Sequence, residues 1–238
     1  MTIAERIEKL IFINEGIIGA YFVADQNWQM LSPILQDKEV YSRWDFSEGV
    51  DGVKIIRMAL YTKIITDMYA ILFDKDKKSG SLNNIISGLE DAGVIKELRS
   101  RFCLPSGVNI VTDHTEDEID SLTKRLQEED RSRKEEMFDR VLPSVVSGYK
   151  AFVESELALR IKSARSKIYA HKEIHSILGE RKYYDAADLG LRYDDAEKLL
   201  SEAQILIFDA NLLLKNSSYS LDSFLNHHKV VAKEYWAR

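Results

Sequence analysis

The chain has 238 residues, of which 45% are apolar and 30% charged, with a formal net charge of -6. That balance is the composition of a folded globular protein, and its sign excludes a protein that coats nucleic acid by general attraction while leaving room for a local basic groove. A single cysteine, Cys103, excludes an intramolecular disulfide and a cysteine-built zinc finger, and it fits a reducing cytoplasm.

Three prolines and eleven glycines are few for this length and favour helices over a turn-rich β fold. In chain order, Ile3, Ile7, Leu10, Ile11, Ile17, Ile18, Phe22 and Val23 mark a first amphipathic helix, with Thr2 as its cap. The apolar stretch over 11–23 includes Asn14 and Glu15, so it reads as core helix and not as a signal or membrane segment. Pro33 and Asp37-Lys38 read as a turn. A second long helix is expected over 52–73, a shorter one over 81–89 after a polar break, and another over 91–101 that ends before Pro105-Ser106-Gly107. From Thr115 to Glu136, mixed charges at helical spacing predict a solvated helix face. Pro143 is expected to separate or kink the next helix, 145–178. Gly179 and Gly190 bound a loop, and two helices follow over about 194–214 and 221–236. With no repeat, low-complexity tract or Gly/Ser linker, residues 1–238 read as one all-α domain.

Within the expected 145–178 helix, the stretch 160–172 holds five basic side chains and no acid. The stripe Leu157, Ile161, Ala164, Ile168, His171, His175, Leu178 steps by four and three, the spacing of a packing seam, and its last turns are histidines. Arg165 lies beside that seam. Arginine offers a permanent charge with a planar fork of donors, and histidine is the side chain most easily poised for proton transfer near neutral pH. Six positions at about 100° each place Arg165 and His171 roughly 120° apart around a helix, so they flank one wide face. Two arrangements would join them at a phosphate: Arg165 bending across, or two copies of the helix facing each other in a two-fold homodimer. Against both stands the ordinary alternative of histidines satisfied in a core and an arginine paired with a carboxylate.

Other constellations are weaker. His171 and His175, four apart, would share a helix face as metal ligands do, but Lys172 stands where a zinc-protease glutamate would be and no third ligand is evident. His227-His228 are adjacent, which predicts a solvated or tail-contact role. Gly16-Ile17-Ile18-Gly19 lacks the Lys-Ser/Thr of a phosphate loop. Cys103, beside Phe102 and Leu104, reads as buried, and Tyr21, Trp28, Trp44 and Trp236 read as core or interface.

Arginine, a polar residue, a short spacer and histidine, here Arg165-Ser166-Lys167-Ile168-Tyr169-Ala170-His171, resembles the signature of the HEPN superfamily of all-helical proteins. The Ile-Tyr-Ala-His-Lys wording resembles its abortive-infection, AbiU-like branch. So do 60–74 with Ser81-Leu82-Asn83-Asn84-Ile85-Ile86, and Asp188-Leu189-Gly190-Leu191-Arg192-Tyr193-Asp194-Asp195, which together carry the likeness from about residue 50 to the end. The resemblance implies a HEPN-like helical bundle with additional N-terminal and C-terminal helices. It also implies a cytoplasmic homodimer that cleaves RNA without metal or cofactor, in phage defence or as a toxin with an antitoxin partner. Arg165 and His171 would be catalytic. Ser166, Lys167, Tyr169, Lys172, His175 and Arg160 would bind substrate. Glu173 stands where some HEPN toxins carry a tyrosine modified by an antitoxin, so that control is not expected here. The alternative is a non-catalytic module binding nucleotide, RNA or protein in the same groove, and a third reading is a metal-dependent hydrolase using His171 and His175.

Overall fold

The computed structural model describes residues 1–44, 47–105, 116–177 and 180–237. Helix α1 (Ile3–Gln36) starts where Thr2 Oγ1 accepts the Glu5 amide and Glu5 Oε2 accepts the Thr2 amide, a reciprocal cap. It runs through Pro33, whose missing N–H falls in the last turns, and stops at Asp37. The expected turn there is instead one capped step: Asp37 Oδ1 accepts the amides of Glu39 and Val40 and opens the short α2 (Lys38–Ser42). Helix α3 (Val50–Phe73) follows. Ser81 caps α4 (Leu82–Leu89), and Asp91 caps α5 (Ala92–Phe102) by accepting the Gly93 and Val94 amides.

Helix α6 (Glu116–Glu154) is 39 residues long and passes through Pro143 without ending. Of the separation or kink expected at the proline, the separation does not occur. The division comes at Ser155, whose extended backbone and hydroxyl cap α7 (Glu156–Ala164). A π-helical turn, Arg165–Ala170, follows directly. A two-stranded antiparallel hairpin, β1 (Ile174–Ile177) and β2 (Glu180–Tyr183), comes next, and it replaces the expected helical continuation to residue 178. Helix α8 (Asp194–Lys215) ends at Asn216 in the left-handed region (φ 49°), and α9 (Leu221–Trp236) closes the described chain. The fold is all-α, with one small hairpin among the described residues.

One apolar core joins α1, α3, α4, α5, α6, α7 and α8, with Tyr21, Met68, Phe102, Phe138, Ile161 and Ile207 all nearly inaccessible. Asn14 on α1 donates to Asn211 on α8 inside it (3.1 Å), and Tyr149 on α6 donates to the Leu72 carbonyl (2.8 Å). Helix α9 lies against α1. It is fixed by Trp236, which donates to the Met30 carbonyl (2.9 Å), and by a buried polar pair: His228 Nδ1 lies 2.7 Å from Asp25 Oδ2. His228 is 8% exposed, so of the solvated and tail-contact roles expected it takes the contact role and not the solvated one. Cys103 is buried, and burial pushes its thiol up. The front of α6 is the solvated, charged face expected, laced by Arg125–Glu129, Arg131–Glu135 and Arg133–Asp130.

Candidate functional site

Helix α7 presents Ala158, Ile161 and Ala164 to the core, with Leu157 and Ile168 partly buried against it. The apolar half of the seam is therefore filled by the chain's own packing. Beyond Ala164 the hydrogen-bond step lengthens: the His171 amide donates to the Ser166 carbonyl (3.2 Å), five residues back, and Glu173 donates to Lys167 (2.7 Å). Between them Lys172 adopts φ 47°, the left-handed conformation that usually takes glycine at a helix end. A left-handed non-glycine residue costs about 1 kcal/mol. The turn is held closed by those two bonds, and single π-turns of this kind occur often at functional sites.

This geometry separates the sequence-predicted residues. His171 ends the turn exposed, and among the described residues no side-chain bond or ion pair engages its imidazole. Arg165, half-buried at the start of the turn, lies over the Tyr69 ring at 5.4 Å, and among the described residues no carboxylate pairs with it. A guanidinium held by a ring face keeps its edge donors for an oxyanion. Ser166 is half-buried. Lys167 sits over the Tyr184 ring at 4.4 Å, and Lys172 is exposed beside His171.

Three expectations change. Arg160 is bound by Asp195 (2.9 Å) and approached by Glu156 (3.6 Å), and Asp195 is only 1% exposed. Hydrogen bonding to Asp195 holds the Arg160 guanidinium above its ordinary range, and the pair ties α7 to the first turn of α8, so its charge is neutralised within the fold. Tyr169 packs against the core, and burial pushes its phenol up. It is a packing residue and not a stacking platform. His175 lies on β1, off the helical stripe. Its side chain, like Leu178 and Gly179, falls outside the described residues. The helix geometry that would have set His171 and His175 on one face is absent, which removes the basis for pairing them as ligands.

A phosphate drawn here meets the carbonyl end of a helix, which repels anions. The exposed carbonyls of Ser166 and Lys167 are already taken by amides, and Arg165, Lys167 and Lys172 supply the opposing positive charge. Lys162 adds little: its ammonium donates to the Val153 carbonyl (2.7 Å) and lies over Phe73, with burial, then Lys75, holding its pKa down.

An all-helical bundle carrying an arginine and a histidine at the two ends of one helical turn is the class of molecule these features define. The family model HEPN_AbiU2, described as AbiU2, matches residues 8–235, and the chain belongs to that family. It is thus a HEPN-type protein related to abortive infection, and the match takes in α1, upstream of the part whose wording carried the likeness. Neither curated proteins nor solved structures gave a match. Among the described residues, no helix is long and apolar enough to cross a membrane.

Proposed function

We propose that the protein is an endoribonuclease of phage defence or of a toxin–antitoxin pair, working as a cytoplasmic homodimer without a metal ion. The observation that carries this reading is the π-turn in which His171 and Arg165 are both left without an acidic partner among the described residues. His171 takes the proton of a ribose 2′-hydroxyl, the 2′-oxygen attacks the adjacent phosphorus, and the 5′-oxygen leaves with a proton. The products are a 2′,3′-cyclic phosphate and a 5′-hydroxyl. Arg165 binds the non-bridging oxygens and opposes the charge that builds on them in the transition state. One imidazole cannot be base and acid at the same instant, so the partner copy supplies the second from its own His171. Because Ile161 and Ala164 are buried in their own subunit, the two copies meet at the exposed ends of the turns and not along the apolar seam. Ser166 orients the turn through its carbonyl, and Lys167 and Lys172 attract the backbone in a salt-sensitive way.

Labelled RNA incubated with purified protein in EDTA tests this. Cleavage leaving 2′,3′-cyclic phosphate ends is expected, and His171→Ala and Arg165→Ala each lower it by at least about 100-fold with melting temperature nearly unchanged. Binding without turnover would identify a non-catalytic module instead. Activity that EDTA abolishes and a divalent ion restores would overturn the metal-free mechanism.

A further inference from the structure

One face of the hairpin beside His171 is exposed and has no partner among the described residues. The register sets Ile174 opposite Tyr183 and Ser176 opposite Arg181. Because side chains alternate along a strand, these four share a face, and all four are exposed, Ile174 by 57% and Tyr183 by 62%. The opposite face is engaged from within: Lys182 reaches Asp185 (2.8 Å) and Asp188 (3.3 Å), and Tyr184 lies beneath Lys167. A two-stranded hairpin of this length is marginal alone and gains stability by covering an apolar face. Here the apolar cross-strand pair points to solvent.

What it presents has a definite chemistry. Tyr183 offers an open ring with no ring partner among the described residues, Ile174 an aliphatic border, Ser176 a hydroxyl, and Arg181 a cation that no described carboxylate pairs. A ring beside an unpaired guanidinium takes a base on its face and a phosphate at its edge. An apolar pair alone would suit a protein partner equally well. Arg181 on this face and Lys172 beside His171 are both exposed and paired by no described carboxylate, and that positive charge favours a polyanion. The distance is short: Ile174 is three residues past His171, so roughly 10 Å of backbone at most separates them. The Tyr184 amide bonds the Glu173 carbonyl (3.1 Å), which fixes the root of the hairpin to the end of the π-turn.

We propose that the outer face of this hairpin, Tyr183 with Arg181, is a stacking platform for an unpaired RNA base flanking the cleaved phosphate. The proposal rests on the nuclease reading of Arg165 and His171. It makes the substrate single-stranded at that position and makes Tyr183 a binding residue that selects unpaired RNA over duplex.

The test uses the full chain and a short, labelled single strand of 2′-O-methyl RNA, which has no nucleophilic hydroxyl and reports binding alone. By fluorescence anisotropy, Tyr183→Ala is expected to weaken binding about tenfold or more, and Tyr183→Phe to retain it. Arg181→Ala is expected to weaken it and to lower the slope of log affinity against log salt by about 0.7. Wild-type affinity in both Tyr183→Ala and Arg181→Ala overturns the platform, as does full affinity in Tyr183→Leu, which keeps apolar contact but not a ring. His171-dependent cleavage of unmodified RNA alongside unchanged binding by Tyr183→Ala removes the platform and leaves the nuclease. Binding lost in Tyr183→Ala in a protein that cleaves nothing keeps the platform and removes the nuclease.

Discussion

Two histidines of this chain sit in opposite circumstances. His228, between α1 and α9, has both ring nitrogens occupied: Nδ1 faces Asp25 at 2.7 Å, and Nε2 lies 3.1 Å from the Gln26 amide nitrogen. Asp25 in turn accepts from Gln29 (3.1 Å). His171, at the end of the π-turn, is exposed and engaged by no described side chain. The arginines divide the same way, with Arg160 closed on Asp195 and Arg165 resting on an aromatic ring. Residue type alone therefore says little about chemistry. What separates a fastener from a reactive group is whether its donors and acceptors are already taken.

The largest effect that would sharpen this contrast is on the Arg160 side. Asp195→Ala strands a partly buried guanidinium and removes the acceptor of the Arg192 amide, so it should cost about 3 kcal/mol of unfolding free energy in a denaturant titration. Next comes His228→Ala, expected to cost about 2 kcal/mol by leaving Asp25 buried with one bond fewer. His171→Ala should change stability by less than about 0.5 kcal/mol, as an exposed substitution does. Equal destabilisation by the two histidine variants would break the comparison. Similarly small and opposite in sign is the effect of Lys172→Gly. It relieves the left-handed strain at φ 47° but frees the unfolded chain, so a net gain of about 0.5 kcal/mol in thermal unfolding is expected. Loss of RNA cleavage in that variant without loss of stability would tie the ammonium to substrate.

The helices of the core were legible because their apolar residues repeat at three and four, and α3, α4, α5, α8 and α9 lie close to where that rhythm put them. Local breaks were not. Pro33 read as a turn and Pro143 as a separation or a kink, yet each sits inside a helix, Pro33 in the last turns of α1 and Pro143 in a helix whose Ser147 hydroxyl bonds the Pro143 carbonyl (2.7 Å). Ser155, the true break, carries only the weak signal of a capping residue. The π-turn is invisible to a 3.6-residue template, because lengthening the hydrogen-bond step shifts every later residue off the stripe. That shift is why His175 left the face of His171. Ile174-His175-Ser176-Ile177 and Glu180-Arg181-Lys182-Tyr183 lack a clean two-residue alternation, so only Gly179 between them hinted at a hairpin. At the site, Arg165 and His171 were found by wording. The fates of Arg160 and His228 depended on partners 35 and 203 positions away, Asp195 and Asp25, and that of Tyr169 on burial against the core, none of which a local pattern names.

The front of α6 behaves as a different material from the body it joins. From Ile119 to Met137 no described residue is fully buried, and Phe138 is the first to enter the core. At 1.5 Å per residue the whole rod is roughly 58 Å long, and among the described residues its leading portion carries ion pairs one turn apart. Such braces weaken as salt rises, whereas the apolar interior does not. Concentrated electrolyte should therefore fray this arm from its tip while the bundle behind it stays intact.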